Sequence, residues 1–128
     1  KEIGPARGGR MGYEGVYLEK MAGKYVLFHT DWHGEDKWTE RKQGFEKIGT
    51  YDFVYCHADS VMGPYSEPRV AVPHGGHGAV FRDQDGRWMA AMFGTDTTAP
   101  FRSKLGLLPL RVEVRGGELM IEPDQPRD

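Results

Sequence analysis

One cysteine stands among 128 residues, so no internal disulfide can form. Within "YDFVYCHAD" Cys56 reads as a small buried apolar residue of a strand. A catalytic thiol is the alternative, but nothing local activates a thiolate there. No stretch approaches the roughly 20 apolar residues of a membrane-spanning helix. The opening "KEIGPARGGRMG" is polar and glycine-rich, without the apolar core of a signal peptide. It also lacks an initiator methionine, which leads us to expect a processed or excised piece. Basic excess is missing too: 17 Lys and Arg face 19 Asp and Glu, for a formal charge of −2. Without a dense cationic run there is no electrostatic footprint for nucleic acid, and neither nucleic acid nor membrane is expected as a partner. Finally, no window carries helical periodicity long enough for a core helix.

What is present is punctuation. Eighteen glycines and eight prolines separate short runs rich in Val, Tyr, Phe, Trp and Leu, the pattern of an all-β chain. Strands are expected at 15–20, 24–31, 51–58, 68–72, 78–83, 87–93, 108–114 and 118–122. Between the second and third lies "WHGEDKWTERKQGFEKIGT", expected to be a polar surface loop with one helical turn. The length bounds the chain to one domain with a real core.

Laying residue 14 on residue 77 sets "EGVYLEKMAGKYVLF" over "HGAVFRDQDGRWMAA" without a gap, an offset of 77 − 14 = 63 residues. In each copy a strand ends in a tight glycine turn and returns as a strand led by a cation and an aromatic, Lys24–Tyr25 and Arg87–Trp88. Each copy has room for two further strands, all apolar on both faces. Such repeats point to about two four-stranded antiparallel blades of a partial β-propeller, residues 1–128 forming one domain with blade-like repeats at about 14–72 and 77–122. A β-sandwich is the alternative.

In a propeller the strand opening each blade runs beside the central channel, which would make Glu14 and His77 neighbours across a cavity. The bland readings are a solvated strand-end carboxylate and a hydrogen-bonded core imidazole. His29, Asp31 and His33 would share a face if the second strand persisted, a conceivable metal-ligand spacing; the competing reading ends that strand at 31 and leaves His33 in the loop. A metal-dependent hydrolase using His29, His33 and His77 is accordingly a minor option. His74 falls in a turn facing solvent. "DQDG" resembles the start of a calcium loop but lacks its closing glutamate, and reads as a hairpin turn.

"YEGVYLEKMAGKYVLFHTD", "YDFVYCHADSVMGPYSEP" and "GGHGAVFRDQDGRWMAAMFGTD" resemble successive segments of glycoside hydrolase family 43, over about residues 12–114. These are five-bladed propellers acting on arabinose- and xylose-containing or related glycans with inversion at the anomeric carbon. The resemblance implies that Glu14 is the catalytic general acid. It also implies that His77 is a metal ligand, the channel histidine that helps hold calcium, with no organic cofactor, and that the protein is secreted or periplasmic. Inversion needs a protonated carboxyl and a second, ionised one that activates water. The family's base aspartate and the aspartate tuning the acid precede the segment matched by Glu14, where this chain has thirteen residues and no Asp. Asp31, Asp36 and Asp96 match neither motif. The chain is therefore expected to be the acid-bearing, C-terminal half of such an enzyme, inactive alone, its missing N-terminal blades or a homo-oligomeric partner lying elsewhere. A noncatalytic glycan-binding or assembly module that completes a propeller by oligomerisation is the alternative. For substrate contacts the candidates are Trp32 and Tyr13, as sugar platforms or rim aromatics, and Asp96 and Arg102, as sugar-hydroxyl ligands or solvated loop charges.

Overall fold

The computed structural model describes residues 14–39, 44–94, 99–100 and 104–125, with the backbone alone for 34–48 where described. Eight strands run in chain order: β1 (Glu14–Met21), β2 (Lys24–Thr39), β3 (Gly44–Ala58), β4 (Arg69–Val72), β5 (Ala79–Arg82), β6 (Trp88–Phe93), β7 (Leu105–Arg115) and β8 (Glu118–Pro123). They form two four-stranded antiparallel sheets, β1-β2-β3-β4 and β5-β6-β7-β8, each strand beside its sequence neighbour. The described residues contain no helix. The protein is all-β, two blades of a partial β-propeller.

Turn chemistry fixes the hairpins. Ala22 and Gly23 (φ 49° and 77°) join β1 to β2, and Gly116 and Gly117 (φ 56° and 80°) join β7 to β8. Two consecutive left-handed residues are what a right-twisted two-residue hairpin requires. The "DQDG" segment closes β5 on β6: the Asp83 carboxylate accepts hydrogen bonds from Asp85 N and Arg87 N, both 2.9 Å, and is paired with the Arg87 guanidinium.

The two sheets face each other over one core. Alternate residues of a strand point to the same face, so Met21, Val26, Phe28, Phe53 and Tyr55 of the first sheet meet Val80, Ala90, Met92, Leu110, Leu119 and Ile121 of the second. Tyr17, Phe28 and Phe53 stack across β1, β2 and β3 with ring centroids 5.3 and 5.0 Å apart. Two tyrosines cross the interface. Tyr17 Oη accepts Val80 N at 2.6 Å, and Tyr55 Oη donates to Leu119 O at 2.8 Å while accepting Ile121 N at 3.1 Å. At the same edge Glu118 takes Arg69 Nη2 at 3.0 Å and lies 3.1 Å from His57 Nε2.

The segment after Asp31 departs from the sequence expectation. Instead of a loop with a helical turn, β2 continues to Thr39 and β3 begins at Gly44. The pairing runs unbroken from Tyr25↔Ala58 to Thr39↔Gly44. Its backbone register sets Asp36 opposite Lys47, Lys37 opposite Glu46 and Trp38 opposite Phe45. Among the described residues β1 pairs no further along β2 than Thr30, and β4 no further along β3 than Phe53, so β2 and β3 extend beyond both as a two-stranded ribbon. The ribbon sequence shows no apolar alternation, and so reads as a loop.

Replacing Tyr55 by Phe strands a buried carbonyl and a buried N–H on β8 at once. The urea midpoint of Tyr55→Phe should fall by an amount corresponding to about 1–3 kcal/mol with unchanged far-ultraviolet circular dichroism.

Candidate functional site

The site lies at the ends of both sheets, where β1 begins and where the chain crosses from β4 to β5. The crossing, residues 73–78, is a flat turn pressed on the first sheet. Gly76 N donates to Tyr51 O at 2.9 Å, and a Cβ on Gly76 would stand 2.4 Å from the Tyr51 ring. A Cβ on Gly78 would stand 2.9 Å from Gly75 O and 3.0 Å from Ala91 O. Side chains are therefore excluded at both positions. Between and beside them His74 and His77 take left-handed backbone conformations, φ 62° and 60°, which cost a non-glycine residue of order 1–2 kcal/mol each. Strain of this kind persists only where surrounding contacts over-determine it.

Those contacts aim one imidazole. His77 N donates to Thr30 Oγ1 at 2.6 Å, the His77 ring lies over Gly15, and His77 Nδ1 comes within 3.6 Å of Glu14 Oε1. Glu14 opens β1 opposite Thr30 at a register shift, with Gly15 left-handed at φ 67°. The glycine after Glu14 thus serves the backbone turn, whereas the glycine after His77 serves close packing. Both side chains of the pair remain partly exposed.

Trp32 extends β2 and is no loop residue: half-buried, its ring tilts against Tyr51 with centroids 5.5 Å apart. Tyr13, Asp96 and Arg102 lie outside the described residues. His29, Asp31 and His33 do share a face of the continued strand, but the three are held apart by other partners. His29 is fully buried with Nε2 3.6 Å from Cys56 Sγ, Asp31 Oδ1 accepts Trp32 N at 2.8 Å, and His33 Nδ1 sits 2.5 Å from Asp52 Oδ2. Among the described residues no three His, Cys, Asp or Glu side chains are grouped to hold a metal ion. Calcium takes six to eight oxygen ligands, and Glu14 with His77 supplies one carboxylate and an imidazole. A calcium ion there would need donors from outside the described residues. Cys56 is fully buried, and burial pushes its thiol up to about 11, an inert environment for a nucleophile.

Asp52 escaped the sequence reading. It is 4% exposed and accepts three hydrogen bonds, from His33 Nδ1, from Thr50 Oγ1 at 2.9 Å and, on its other oxygen, from His74 N at 2.9 Å. A lone acid inside the apolar run "TYDFVYC" was the available signal, because a charge is rarely buried unless paired.

Beside His77 a hollow of about 490 Å³ opens on the outward face of the second sheet, walled by Ala79, Ala91, Phe93, Leu105 and Leu107. This face continues through Phe81, and Leu105 and Leu107 are 89% and 67% exposed. The outward face of β1 likewise exposes Val16 and Leu18.

No family profile matches the chain, and no curated protein does. Among solved structures it is similar to the bifunctional GH43-CE of Bacteroides eggerthii, with a TM-score of 0.54 and 26% identity, covering 87% of this chain. The chain spans 12% of the length of that protein. The likeness supports a GH43-like fold and a glycosidase-like ancestry.

His29 gives the site end of the first sheet a pH dependence. Burial holds its imidazole below the ordinary value, with nearby Asp31 only partly offsetting this. Once unfolded, it binds a proton at about pH 6.5. Below that pH and above the folded value the unfolded chain carries more protons, so stability falls as pH falls through the window. The urea-derived stability should decline below pH 6.5 by at most about 1.4 kcal/mol per pH unit from this group, and His29→Leu should flatten that slope.

Proposed function

We propose that this chain is the acid-bearing half of an inverting glycoside hydrolase acting on arabinose- and xylose-containing or related glycans, with Glu14 as general acid and the remainder of the propeller outside it. The observation that carries the reading is the 3.6 Å approach of His77 Nδ1 to Glu14 Oε1, from the leading ends of two different sheets, where blades of a propeller border a common channel. In this role Glu14 gives its proton to the glycosidic oxygen as the bond to the anomeric carbon breaks. Trp32, and Tyr13, Asp96 and Arg102 outside the described residues, are the sugar contacts this role would recruit.

Inversion also needs an ionised carboxylate across the ring, far enough from the acid to admit water. Asp52 does not supply it, since both its oxygens are engaged within the fold. Alone, the chain should therefore show no Glu14-dependent turnover of aryl arabinosides or xylosides. Joined to upstream sheets that carry the base, it should hydrolyse them and lose about 10²- to 10⁴-fold in rate on Glu14→Gln. Turnover by the isolated monomer that Glu14→Gln abolishes would contradict the half-site reading.

The exposed apolar residues on the outward face of the second sheet favour a second reading, a noncatalytic assembly module in which copies stack sheet on sheet toward a closed ring. Apolar patches as continuous as Phe81, Phe93, Leu105 and Leu107 mark interaction surfaces. Light scattering discriminates: a defined oligomer dispersed by Leu105→Glu with Leu107→Glu supports assembly, whereas a monomer that aggregates without a defined stoichiometry supports the half-enzyme.

A further inference from the structure

We infer that Asp52 is a positioning residue for the Glu14–His77 pair, acting at a distance through the turn that carries His77; its functional meaning rests on the proposed role of Glu14. The turn leaves β4 at Val72 and passes over the middle of β3 and of β2 to the start of β1. At β3 it meets Asp52, whose Oδ1 accepts His74 N at 2.9 Å, and Tyr51, whose carbonyl accepts Gly76 N at 2.9 Å. At β2 it meets Thr30, whose hydroxyl accepts His77 N at 2.6 Å, and at β1 the imidazole arrives beside Glu14.

Among these anchors Asp52 is the charged one, and it holds the first of the two left-handed residues. A hydrogen bond to an ionised acceptor is about twice as strong as one between neutral groups, which suits the point where strain must be held. Asp52 is itself held in place. His33 Nδ1 and the Thr50 hydroxyl both bind Oδ2, leaving Oδ1 directed at the turn. Half of the His33 side chain stays exposed, so the partner of the buried carboxylate reaches solvent while the carboxylate does not. Released from Asp52, His74 can return to an ordinary backbone conformation. The flat course over Tyr51 that delivers His77 would then be lost.

The test reads the delivered imidazole directly. His77 Cδ2 lies 3.7 Å from the point where a Cβ on Gly15 would sit, a direction occupied by a Gly15 α-hydrogen. In the isotopically labelled chain a nuclear Overhauser contact between the His77 ring and Gly15 is therefore expected. It should persist in Asp52→Asn, whose amide oxygen still accepts from His74 N, and vanish in Asp52→Val, while the Tyr17–Val80 contact between the sheets remains in both. Retention of the His77–Gly15 contact in Asp52→Val overturns the inference. Joint loss of the His77 and inter-sheet contacts in both variants overturns it as well, since Asp52 would then serve stability alone. Should Asp52→Val not fold, Asp52→Ser, whose short hydroxyl retreats from the turn, is read by the same signal with the same outcomes. Hydrolysis is not measured, so a Glu14 without a catalytic part would leave these outcomes standing and fail separately, in the turnover assay.

Discussion

The inward faces of the two sheets bury against each other, and this constraint organises everything else. Alternation along each strand gathers Phe28, Phe53 and Tyr55 on one side and Leu110, Leu119 and Ile121 on the other. Removing such side chains from water is worth roughly 1.5–3 kcal/mol apiece. Burial alone is non-directional and would let the sheets slide. Direction comes from the two tyrosine hydroxyls, which bond backbone groups of β5 and β8 and so fix the offset between the sheets. Burial raises both phenols above their ordinary range.

With that offset set, the crossing from β4 to β5 has only a narrow course. It lies between Tyr51 below and Ala91 beyond, close enough that Gly76 and Gly78 admit no side chain. His74 and His77 in the same turn take left-handed backbone, and polar anchors on β2 and β3 hold it there. The Glu14–His77 approach is thus a consequence of sheet packing, and not of any local affinity between a partly exposed carboxylate and an imidazole. An isolated pair that is so accessible to water contributes little by itself.

The same packing leaves the outward face of the second sheet open, whereas on the first sheet Leu27, Cys56, Ala58 and Tyr65 form a second buried cluster and the β1 edge exposes Val16 and Leu18. On the second sheet, Phe93 opposite Leu105 and Ala91 opposite Leu107 make an apolar surface that turns charged along β7 and β8, where Arg111 pairs with Glu122 and Asp124, and Arg115 with Glu113. An apolar centre with an ionic border is the anatomy of a surface that meets another surface. His77 lines the hollow at the edge of this surface.

Much of this was written in local sequence. Turn residues and double-sided apolar runs determined the strands and their pairing into hairpins, because those choices depend on neighbours a few residues away. The 63-residue echo aligned Glu14 with His77, and the folded chain differs between them: Glu14 is the first residue of β1, whereas His77 stands in the left-handed turn before β5. The ribbon beyond Asp31 was hidden, since its sequence carries no apolar alternation to mark it as strand. Asp52 was hidden for a different reason. Its worth lies in three donors brought from positions 33, 50 and 74, and only the folded sheet with its crossing turn assembles them around one buried carboxylate. Sequence by itself determined the all-β class and the hairpins; tertiary structure decided how far β2 and β3 run and which residues meet, because the left-handed turn that brings His77 to Glu14 is held by contacts from strands distant in sequence.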